Sequence, residues 1–251
     1  MSGARKILLV TGGGRGIGAA TCRLGAAAGY RVAVNYVSNH AAAGTLVESI
    51  RQAGGEAIAV KADMASESDI LTMFETVDRA FGRLDALVNN AGVIDVLSRV
   101  EEMSAARIDR MMRVNVTGPM LCAREAVKRM STRHGGKGGA IVNVSSMVAV
   151  LGAANQYVDY AASKGAIDTF TIGLAREVVA EGIRVNAVRP GFVDTDIHAS
   201  SGDSDRLRSV LDILPMKRPA TAEEVARSIV FLLSEDSSYT TGAILNVSGG
   251  R

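Results

Sequence analysis

Two residues of this 251-residue sequence, Tyr160 and Lys164 in the stretch YAASK, have types and a spacing that suit proton transfer. On a helix, side chains four residues apart lie on one face, about 6 Å apart along the axis. A neighbouring ammonium favours the ionised form of a phenol, whose reference pKa is about 10, and so brings Tyr160 towards proton exchange at neutral pH. Tyr157 is farther from the lysine, roughly 10.5 Å along the same face. The spacing favours Tyr160, although a lone tyrosine–lysine pair is more often an ordinary surface contact.

A glycine-rich stretch, LLVTGGGRGIGAA, runs from an apolar segment directly into a helical one. Glycines at positions 12, 16 and 18 let the backbone turn tightly and approach a pyrophosphate, whose charge a helix N-terminus stabilises. The alternative is a strand-to-helix turn without a ligand, but the surrounding βαβ pattern favours dinucleotide binding. The similar stretch HGGKGG at 134–139 is followed by a strand, so we expect a connecting loop there.

The remaining chemistry-bearing residues do not suggest a metal or a nucleophile. The histidines, His40, His134 and His198, lie far apart and lack metal-ligand spacing, and Asp194 and Asp196 have no partner ligand nearby. We therefore predict no metal. The two cysteines, Cys22 and Cys122, fall in apolar helical stretches and are predicted to be buried thiols.

Charge and hydropathy limit the partners. A formal net charge of +2, from dispersed lysines and arginines, argues against a nucleic-acid surface. The apolar run in MSGARKILLV is too short for a signal peptide or a membrane span. We expect a cytoplasmic protein with a small-molecule partner and no nucleic-acid or membrane partner.

Strand-length apolar runs alternate with longer segments of helical period along the whole chain. The runs are almost continuously apolar, as in strands covered by helices on both faces, so we predict an α/β fold with a Rossmann-type, doubly wound parallel sheet of about seven strands. No linker or repeat marks a boundary, so residues 1–251 are predicted to be a single domain. The polar segment 194–220 interrupts the alternation and is predicted to be a substrate lid. The predicted helices are 16–29, 40–53, 67–81, 104–130, 157–181 and 221–234.

Five short motifs occur in a characteristic order: TGGGRGIG at 11–18, NNAG at 89–92, NVSS at 143–146, YAASK at 160–164 and RPGFVDT at 189–195. In this order and spacing they resemble the short-chain dehydrogenase/reductase family across essentially the whole chain. Each motif alone is weak, but the combination is specific. The similarity extends to acyl-carrier-protein reductases and glucose dehydrogenases, and it does not choose between their substrates.

The resemblance implies roles for four residues. Tyr160 passes a proton to or from the substrate oxygen, Lys164 holds the nicotinamide ribose and tunes the phenol, and Asn115 completes a proton relay. The family serine usually lies about 13 residues before the tyrosine, whereas Ser146 lies 14 and Ser145 lies 15 residues before Tyr160. Ser146 is the closer match, and the alternative Ser145 stays open. The extra residue enlarges the loop before Tyr160.

The resemblance also implies a cofactor site and its preference. An NAD enzyme usually has an acidic residue at the end of the second strand, where this chain has Asn35 and Tyr36, and Arg15 can reach a 2′-phosphate. We therefore expect NADP, with NAD possible. Asp63 is placed against the adenine, although it could instead cap the next helix. The predicted cofactor-binding residues are Gly12, Gly14, Arg15, Gly16, Ile17, Gly18, Asn35, Tyr36, Asp63, Met64, Asn89, Ala91, Gly92, Tyr160, Lys164, Pro190, Gly191, Val193 and Thr195.

Together these residues predict an oxidoreductase that transfers hydride between NADP(H) and a carbonyl or secondary alcohol. A rival class is a dinucleotide sensor or scaffold without turnover, and enoyl reduction or sugar epimerisation are less favoured reactions. A homotetramer is expected, because 104–130 and 157–181 carry small residues such as Ala161, Ala162 and Gly173 that suit close packing. In the lid, Arg206 and Arg208 could meet an anion, and Ile197, Leu207 and Leu211 an apolar chain.

Overall fold

The computed structural model describes residues 5–195 and 211–251 and contains one seven-stranded parallel sheet. The strand order is β3-β2-β1-β4-β5-β6-β7, which confirms the doubly wound α/β fold predicted from the sequence. The order reverses between β1 and β4, so the carboxyl ends of these two strands border the crevice where such sheets bind ligands. The strands are β1 Ile7–Val10, β2 Arg31–Tyr36, β3 Glu56–Lys61, β4 Ala86–Asn89, β5 Gly139–Val144, β6 Ile183–Pro190 and β7 Ile244–Val247.

Helices cover both faces of the sheet because successive strand residues point to opposite sides. In β1, Leu8 and Val10 face one cluster of buried apolar residues, and Ile7 and Leu9 face the other. Helices α1, α2 and α8 supply the first cluster, and α3, α5 and α7 supply the second. The helices are α1 Gly16–Ala27, α2 His40–Gln52, α3 Glu67–Phe81, α4 Ala105–Met112, α5 Gly118–Met130, α6 Val148–Leu151, α7 Val158–Val178 and α8 Ala222–Leu233.

The predicted helix 104–130 is not one regular α-helix. A π-helical turn, Arg113–Thr117, separates α4 from α5 and buries Asn115 completely. Such wide turns occur frequently at functional sites because they redirect one side chain within a helix. The predicted helix 157–181 is α7 followed by a 3-10 turn, Val179–Glu181.

The predicted lid lies only partly within the described residues. Its positions 196–210 fall outside them. The substrate contacts expected of Ile197, Arg206, Leu207 and Arg208, and the positions of Asp196 and His198, therefore lie outside the described residues. The described parts are 194–195 and 211–220. The second part begins with a 3-10 turn, Leu211–Ile213, and ends at Ala220, which forms a parallel bridge with Val193. Residues 134–139 form the connection into β5, as predicted. Within 5–195 and 211–251, no helix is both long and apolar enough to cross a membrane.

Candidate active site

Tyr160 and Lys164 lie on the first two turns of α7 and face the same cleft. The Lys164 side chain is only 4% exposed, and its Nζ donates to the Val144 carbonyl oxygen at 2.8 Å. The same Nζ lies 5.6 Å from the centroid of the Tyr160 ring. Tyr157 packs edge-on against Tyr160, with 5.8 Å between the ring centroids. The structure therefore places the lysine beside the Tyr160 ring, as the spacing predicted.

The pKa of the Tyr160 phenol differs from the expectation. Burial raises the pKa of Tyr160 to about 12, and it outweighs a hydrogen bond with the Ser146 side chain, which lowers the pKa. Burial also lowers the pKa of Lys164 to about 8, although Asp168 acts in the opposite direction. Before any ligand binds, the phenol is thus fully protonated at neutral pH. This state suits a proton donor to a substrate oxygen.

The two candidate serines at the end of β5 have different surroundings. Ser145 is 2% exposed, and its hydroxyl donates to the Lys164 carbonyl oxygen at 3.2 Å. The Ser146 side chain is only partly buried, and its Oγ accepts from the Val148 backbone N–H at 3.3 Å. Ser146 is also the serine that hydrogen-bonds the Tyr160 side chain. The geometry favours Ser146 as the hydroxyl presented to a substrate, while Ser145 fixes the first turns of α7.

Asn115 joins three parts of the site from behind. Its Oδ1 accepts from the Val93 N–H at 2.8 Å, and its Nδ2 donates to the Val93 carbonyl oxygen at 2.9 Å. Its Nδ2 also reaches Ser163 Oγ on α7 at 3.2 Å. A Cβ on Gly92 would lie 3.5 Å from both Asn115 Oδ1 and Lys164 Nζ. Asn115 therefore holds the loop after β4 against the helix that carries Tyr160.

The glycine loop forms a cradle at the start of α1. Gly12 and Gly16 have positive φ angles of 61° and 52°. A Cβ on Gly18 would lie 2.4 Å from the Gly12 carbonyl oxygen, so the helix can approach the loop only with glycine there. The first turn of α1 has no acidic residue and no side-chain cap, which leaves its N–H groups available to an anion. These features fit the pyrophosphate of a dinucleotide.

At the end of β2, the Asn35 side chain supports the glycine loop from behind. It is fully buried, and its Oδ1 accepts from the Gly12 N–H at 3.0 Å. Its Nδ2 donates to the carbonyl oxygens of Val60 and Ala62 at 3.3 and 3.0 Å. The amide thus fixes the glycine loop to the end of β3, and the Asn35 main-chain oxygen also accepts from the Gly13 N–H at 2.8 Å. Asn35 therefore supports the loop from behind, and it is not among the residues that line the cleft. Arg15, by contrast, is exposed and lines the cleft.

Several other predicted residues also lie behind the cleft. Asn89 donates from Nδ2 to Asn143 Oδ1 at 2.9 Å inside the sheet, and Met64 is buried. Asp63 Oδ1 accepts from the Ala65 N–H, whereas the helix cap considered for Asp63 is supplied by Ser66. Tyr36 pairs its hydroxyl with His40 Nδ1 at 2.8 Å. The predicted residues that do line the cleft are Gly12, Arg15, Gly16, Ile17, Ala91, Gly92, Ser146, Tyr160, Lys164, Pro190, Gly191, Val193 and Thr195.

The cleft has a volume of about 380 Å³ and includes residues that the motifs did not identify. Asn90, one residue beyond Asn89, donates to the carbonyl oxygens of Thr11 and Gly12 at 2.9 and 3.0 Å. An apolar wall beside Ser146 is formed by side chains that include Met147, Val148 and Leu151. Arg251 reaches the cleft from the far end of the sequence, where no motif lies.

Metal chemistry and thiol chemistry receive no support from the described residues. Within 5–195 and 211–251, no group of three or more His, Cys, Asp or Glu side chains is placed to hold a metal. Cys22 and Cys122 are free and buried, as predicted, and burial raises the pKa of both thiols.

Comparison with known proteins agrees with this geometry. A family model described as "Enoyl-(Acyl carrier protein) reductase" matches residues 12–251. The chain belongs to the short-chain dehydrogenase/reductase family. It is 54% identical over 245 residues to an oxidoreductase of Escherichia coli described as uncharacterized, covering 98% of this chain and 99% of that protein. It is 38% identical over 250 residues to a 3-oxoacyl-[acyl-carrier-protein] reductase of Synechocystis, covering 98% and 96%.

A solved structure of a short-chain dehydrogenase from Burkholderia cenocepacia in complex with NADP superposes with a TM-score of 0.90. That chain is 34% identical, and the superposition covers 97% of this chain and 96% of that one. The predicted family is therefore confirmed. This member of it is an NAD(P)-dependent oxidoreductase that acts on CH–OH and C=O groups.

Proposed function

We propose that this short-chain dehydrogenase/reductase uses NADP(H) in preference to NAD(H) to interconvert a carbonyl group and a secondary alcohol. The observation that carries the proposal is the placement of Tyr160, Ser146 and Lys164 in one cleft with the glycine loop of α1. Nicotinamide dinucleotide, when bound, supplies or accepts the hydride. The residues that would hold it are those of the glycine loop, Ala91, Gly92, Lys164 and the segment 190–195.

The proton steps belong to this chain's own side chains. Tyr160 and Ser146 both present hydroxyls to the cleft and hydrogen-bond each other. A substrate oxygen that replaces this mutual hydrogen bond can accept from both hydroxyls. As negative charge develops on that oxygen, the Tyr160 Oη–H bond breaks and its proton moves to the oxygen. The Lys164 ammonium lies close enough to stabilise the phenolate that remains. In alcohol oxidation, the phenolate takes the proton back.

The preference for NADP rests on Arg15. Its guanidinium is exposed at the cleft, next to the end of β2, where Asn35 and Tyr36 provide no carboxylate to repel a 2′-phosphate. A guanidinium suits a phosphate through both charge and bidentate hydrogen bonding. The Burkholderia structure, which is a complex with NADP, supports the choice of NADP as the cofactor.

Two other functions remain to be separated from this one. A dinucleotide sensor would bind cofactor without turnover, and an enoyl reductase, the activity that the family model's description names, would reduce a C=C bond. Absorbance of reduced nicotinamide, followed with a panel of ketones, secondary alcohols and enoyl thioesters, distinguishes all three. We expect oxidation of NADPH with ketones and not with enoyl thioesters. NADPH binding without any turnover would overturn the proposal in favour of a sensor.

The decisive variants are Tyr160→Phe and the neighbouring Tyr157→Phe. Loss of the Tyr160 hydroxyl should lower kcat by roughly 100- to 10,000-fold, as for removal of a general acid, with the Kd for NADPH nearly unchanged. Tyr157→Phe should have a small effect, because phenylalanine keeps the edge-on ring contact that Tyr157 makes with Tyr160. Equal losses in the two variants would contradict the assignment of the proton donor.

We also propose a cytoplasmic homotetramer whose residues 1–251 form one domain. The single sheet that joins the first strand to the last supports one domain. On α7, Ala162 and Gly173 are exposed, and within 5–195 and 211–251 no atom outside the backbone of α7 lies within 4 Å of a Cβ placed on Gly173, so a second helix could approach. Ala161 is buried instead, so it does not belong to that surface. Light scattering at micromolar concentration should report a tetramer, and a monomer would exclude this part of the proposal.

A further inference from the structure

Arg251 is a positively charged residue of the cleft that has no assigned role in binding the proposed cofactor. Among residues 5–195 and 211–251, three positively charged side chains line the cleft, those of Arg15, Lys164 and Arg251, and no Asp or Glu of these residues lines it. Arg15 and Lys164 have assigned roles towards the 2′-phosphate and the ribose. Within 5–195 and 211–251, Arg251 forms no salt bridge with a carboxylate.

The segment that carries Arg251 is held firmly against the cleft. After β7, whose Val247 pairs with Pro190 of β6, the chain packs on Gly191 so closely that a Cβ there would lie 2.9 Å from the Cα of Ser248. The Ser248 hydroxyl then donates to the Arg251 main-chain oxygen at 3.0 Å. The position of Arg251 is thus set by strand pairing and by a turn, not by its own side chain alone.

The guanidinium of Arg251 is stacked on an aromatic ring. Its Cζ lies 4.7 Å from the centroid of Phe192, which also lines the cleft. Stacking on the ring face orients the planar guanidinium and leaves its edge, with the N–H donors, available for a carboxylate. Partial burial strengthens such a contact, because less water competes with it.

We propose that Arg251 binds the carboxylate of the substrate, so that the enzyme acts on ketones or secondary alcohols that carry a carboxylate group. This inference rests on the proposed function, since it names the substrate class of the same site. In this proposal Ser146 and Tyr160 hold the reacting oxygen, and Met147, Val148 and Leu151, which line the same cleft, contact the carbon skeleton. The substrate's charge is neutralised at the edge of the cleft and its reacting carbon lies at the inner end.

The test compares ketones that differ only in charge. With NADPH as the reductant, kcat/KM is measured for levulinate and for its carboxamide. The same pair of measurements is made for 4-oxocyclohexanecarboxylate and its carboxamide. The wild type should prefer each carboxylate by roughly 10- to 100-fold in kcat/KM, as for a charge-assisted hydrogen bond. Arg251→Gln should abolish this preference while carboxamide reduction continues, and Arg251→Lys should keep part of it. Arg227→Gln, which removes an exposed arginine of α8 outside the cleft, should behave as the wild type.

A binding measurement separates this inference from the proposed reaction. Calorimetry with the NADPH complex should show that cyclohexanecarboxylate binds more tightly than cyclohexanecarboxamide, and that Arg251→Gln removes the difference. This result would support the anion site even if no ketone were turned over. Equal use and equal binding of carboxylate and carboxamide by the wild type would overturn the proposal. A weaker Kd for NADPH in Arg251→Gln with the carboxylate preference intact would also overturn it, and would assign Arg251 to the cofactor.

Discussion

Two regions of the cleft differ in how their polar groups are held. The inner wall, formed by Asn115, Ser145 and Lys164, is buried, and each of its side chains bonds to main-chain atoms of neighbouring elements. The rim, formed by Arg15, residues 152–156 and Arg251, is exposed or partly exposed. The inner wall therefore has its geometry before a ligand arrives, whereas the rim's charged groups form their strongest interactions with the ligand itself.

The physical reason for the difference is desolvation. A buried polar atom without a partner costs about 1–3 kcal/mol, so the inner wall persists only if every group is bonded. Exposed charges are screened by water and contribute little to folding, which leaves them free to determine which molecules bind. This contrast predicts that the inner wall determines the reaction and that the rim determines the cofactor and substrate.

The prediction with the largest expected effect compares substitutions at two glycines of the same loop. Gly18 is buried, and a Cβ there would lie 2.4 Å from the Gly12 carbonyl oxygen and 2.6 Å from Asn90 Nδ2. Gly18→Ala should lower the free energy of unfolding by about 1–3 kcal/mol and displace the loop, with a loss in kcat/KM of roughly 100-fold. Urea denaturation and steady-state kinetics measure the two effects.

Gly14→Ala is the matched control, because the nearest atoms to a Cβ on Gly14 lie 3.9 Å away, at an ordinary contact distance. It should not change the free energy of unfolding appreciably, and its loss in kcat/KM should be much smaller than that of Gly18→Ala. Similar losses in both variants would show that the loop as a whole, and not its buried end, is sensitive.

Much of the inner wall could be predicted from sequence because its motifs are local. The helix 67–81 was predicted with the bounds of α3, and the spacing of Tyr160 and Lys164 on α7 placed them side by side. The pKa of Tyr160 was not predictable in this way, since burial by distant segments, rather than the neighbouring lysine, dominates it. The hydrogen bonds of Asn35 to Gly12 and Ala62 likewise depend on tertiary contacts that spacing does not encode.

Lys164 allows a pH-dependent test of the inner wall. Because burial lowers its pKa from 10.5 to about 8, the folded protein binds fewer protons than the unfolded chain between these pH values. The contribution of Lys164 to stability is therefore least favourable below pH 8 and improves as pH rises towards 10.5. Relative to Lys164→Met, the wild type should gain about 2–3 kcal/mol between about pH 7 and pH 10.

Urea denaturation of the cofactor-free proteins at the two pH values measures this difference. The comparison with Lys164→Met cancels the titration of other buried groups, such as the thiols of Cys22 and Cys122. Lys61→Met, which removes an exposed lysine at the end of β3, should follow the wild type. If the free energies of unfolding of the wild type and Lys164→Met depend on pH in the same way, burial does not destabilise the Lys164 ammonium.

The rim's role in cofactor choice is tested at Arg15. Arg15→Ala should weaken NADPH binding by about 1–3 kcal/mol, as for loss of a hydrogen bond to a charged group, and should leave NADH binding nearly unchanged. Fluorescence titration with both cofactors measures the two affinities. Arg23→Ala, at another exposed arginine of α1, is the control and should affect neither. A wild type that uses NADH at least about tenfold more efficiently than NADPH would contradict the assignment of Arg15.

The rim also differs from the inner wall in its backbone conformation, because two of its non-glycine residues have positive φ angles that the sequence did not predict. The extra residue between Ser146 and Tyr160 was expected to enlarge this loop, and the structure places Ala153 and Asn155 there with positive φ angles of 49° and 59°. Asparagine tolerates this conformation, but alanine is strained in it by roughly 1–2 kcal/mol. The Arg99 guanidinium donates to Asn155 Oδ1 at 3.1 Å and helps to hold the loop.

The smallest expected effect is a comparison of two adjacent alanines of the rim. Replacing each by glycine should change the free energy of unfolding in opposite directions. Ala153→Gly relieves strain and should raise the free energy of unfolding by up to about 1 kcal/mol, after the entropy of the added glycine is subtracted. Ala154→Gly, at a position without a positive φ, should lower it by roughly 0.4–1 kcal/mol. Urea denaturation of both variants resolves the difference. If Ala153→Gly destabilises the protein as much as Ala154→Gly does, the rim stores no strain and is as relaxed as the inner wall.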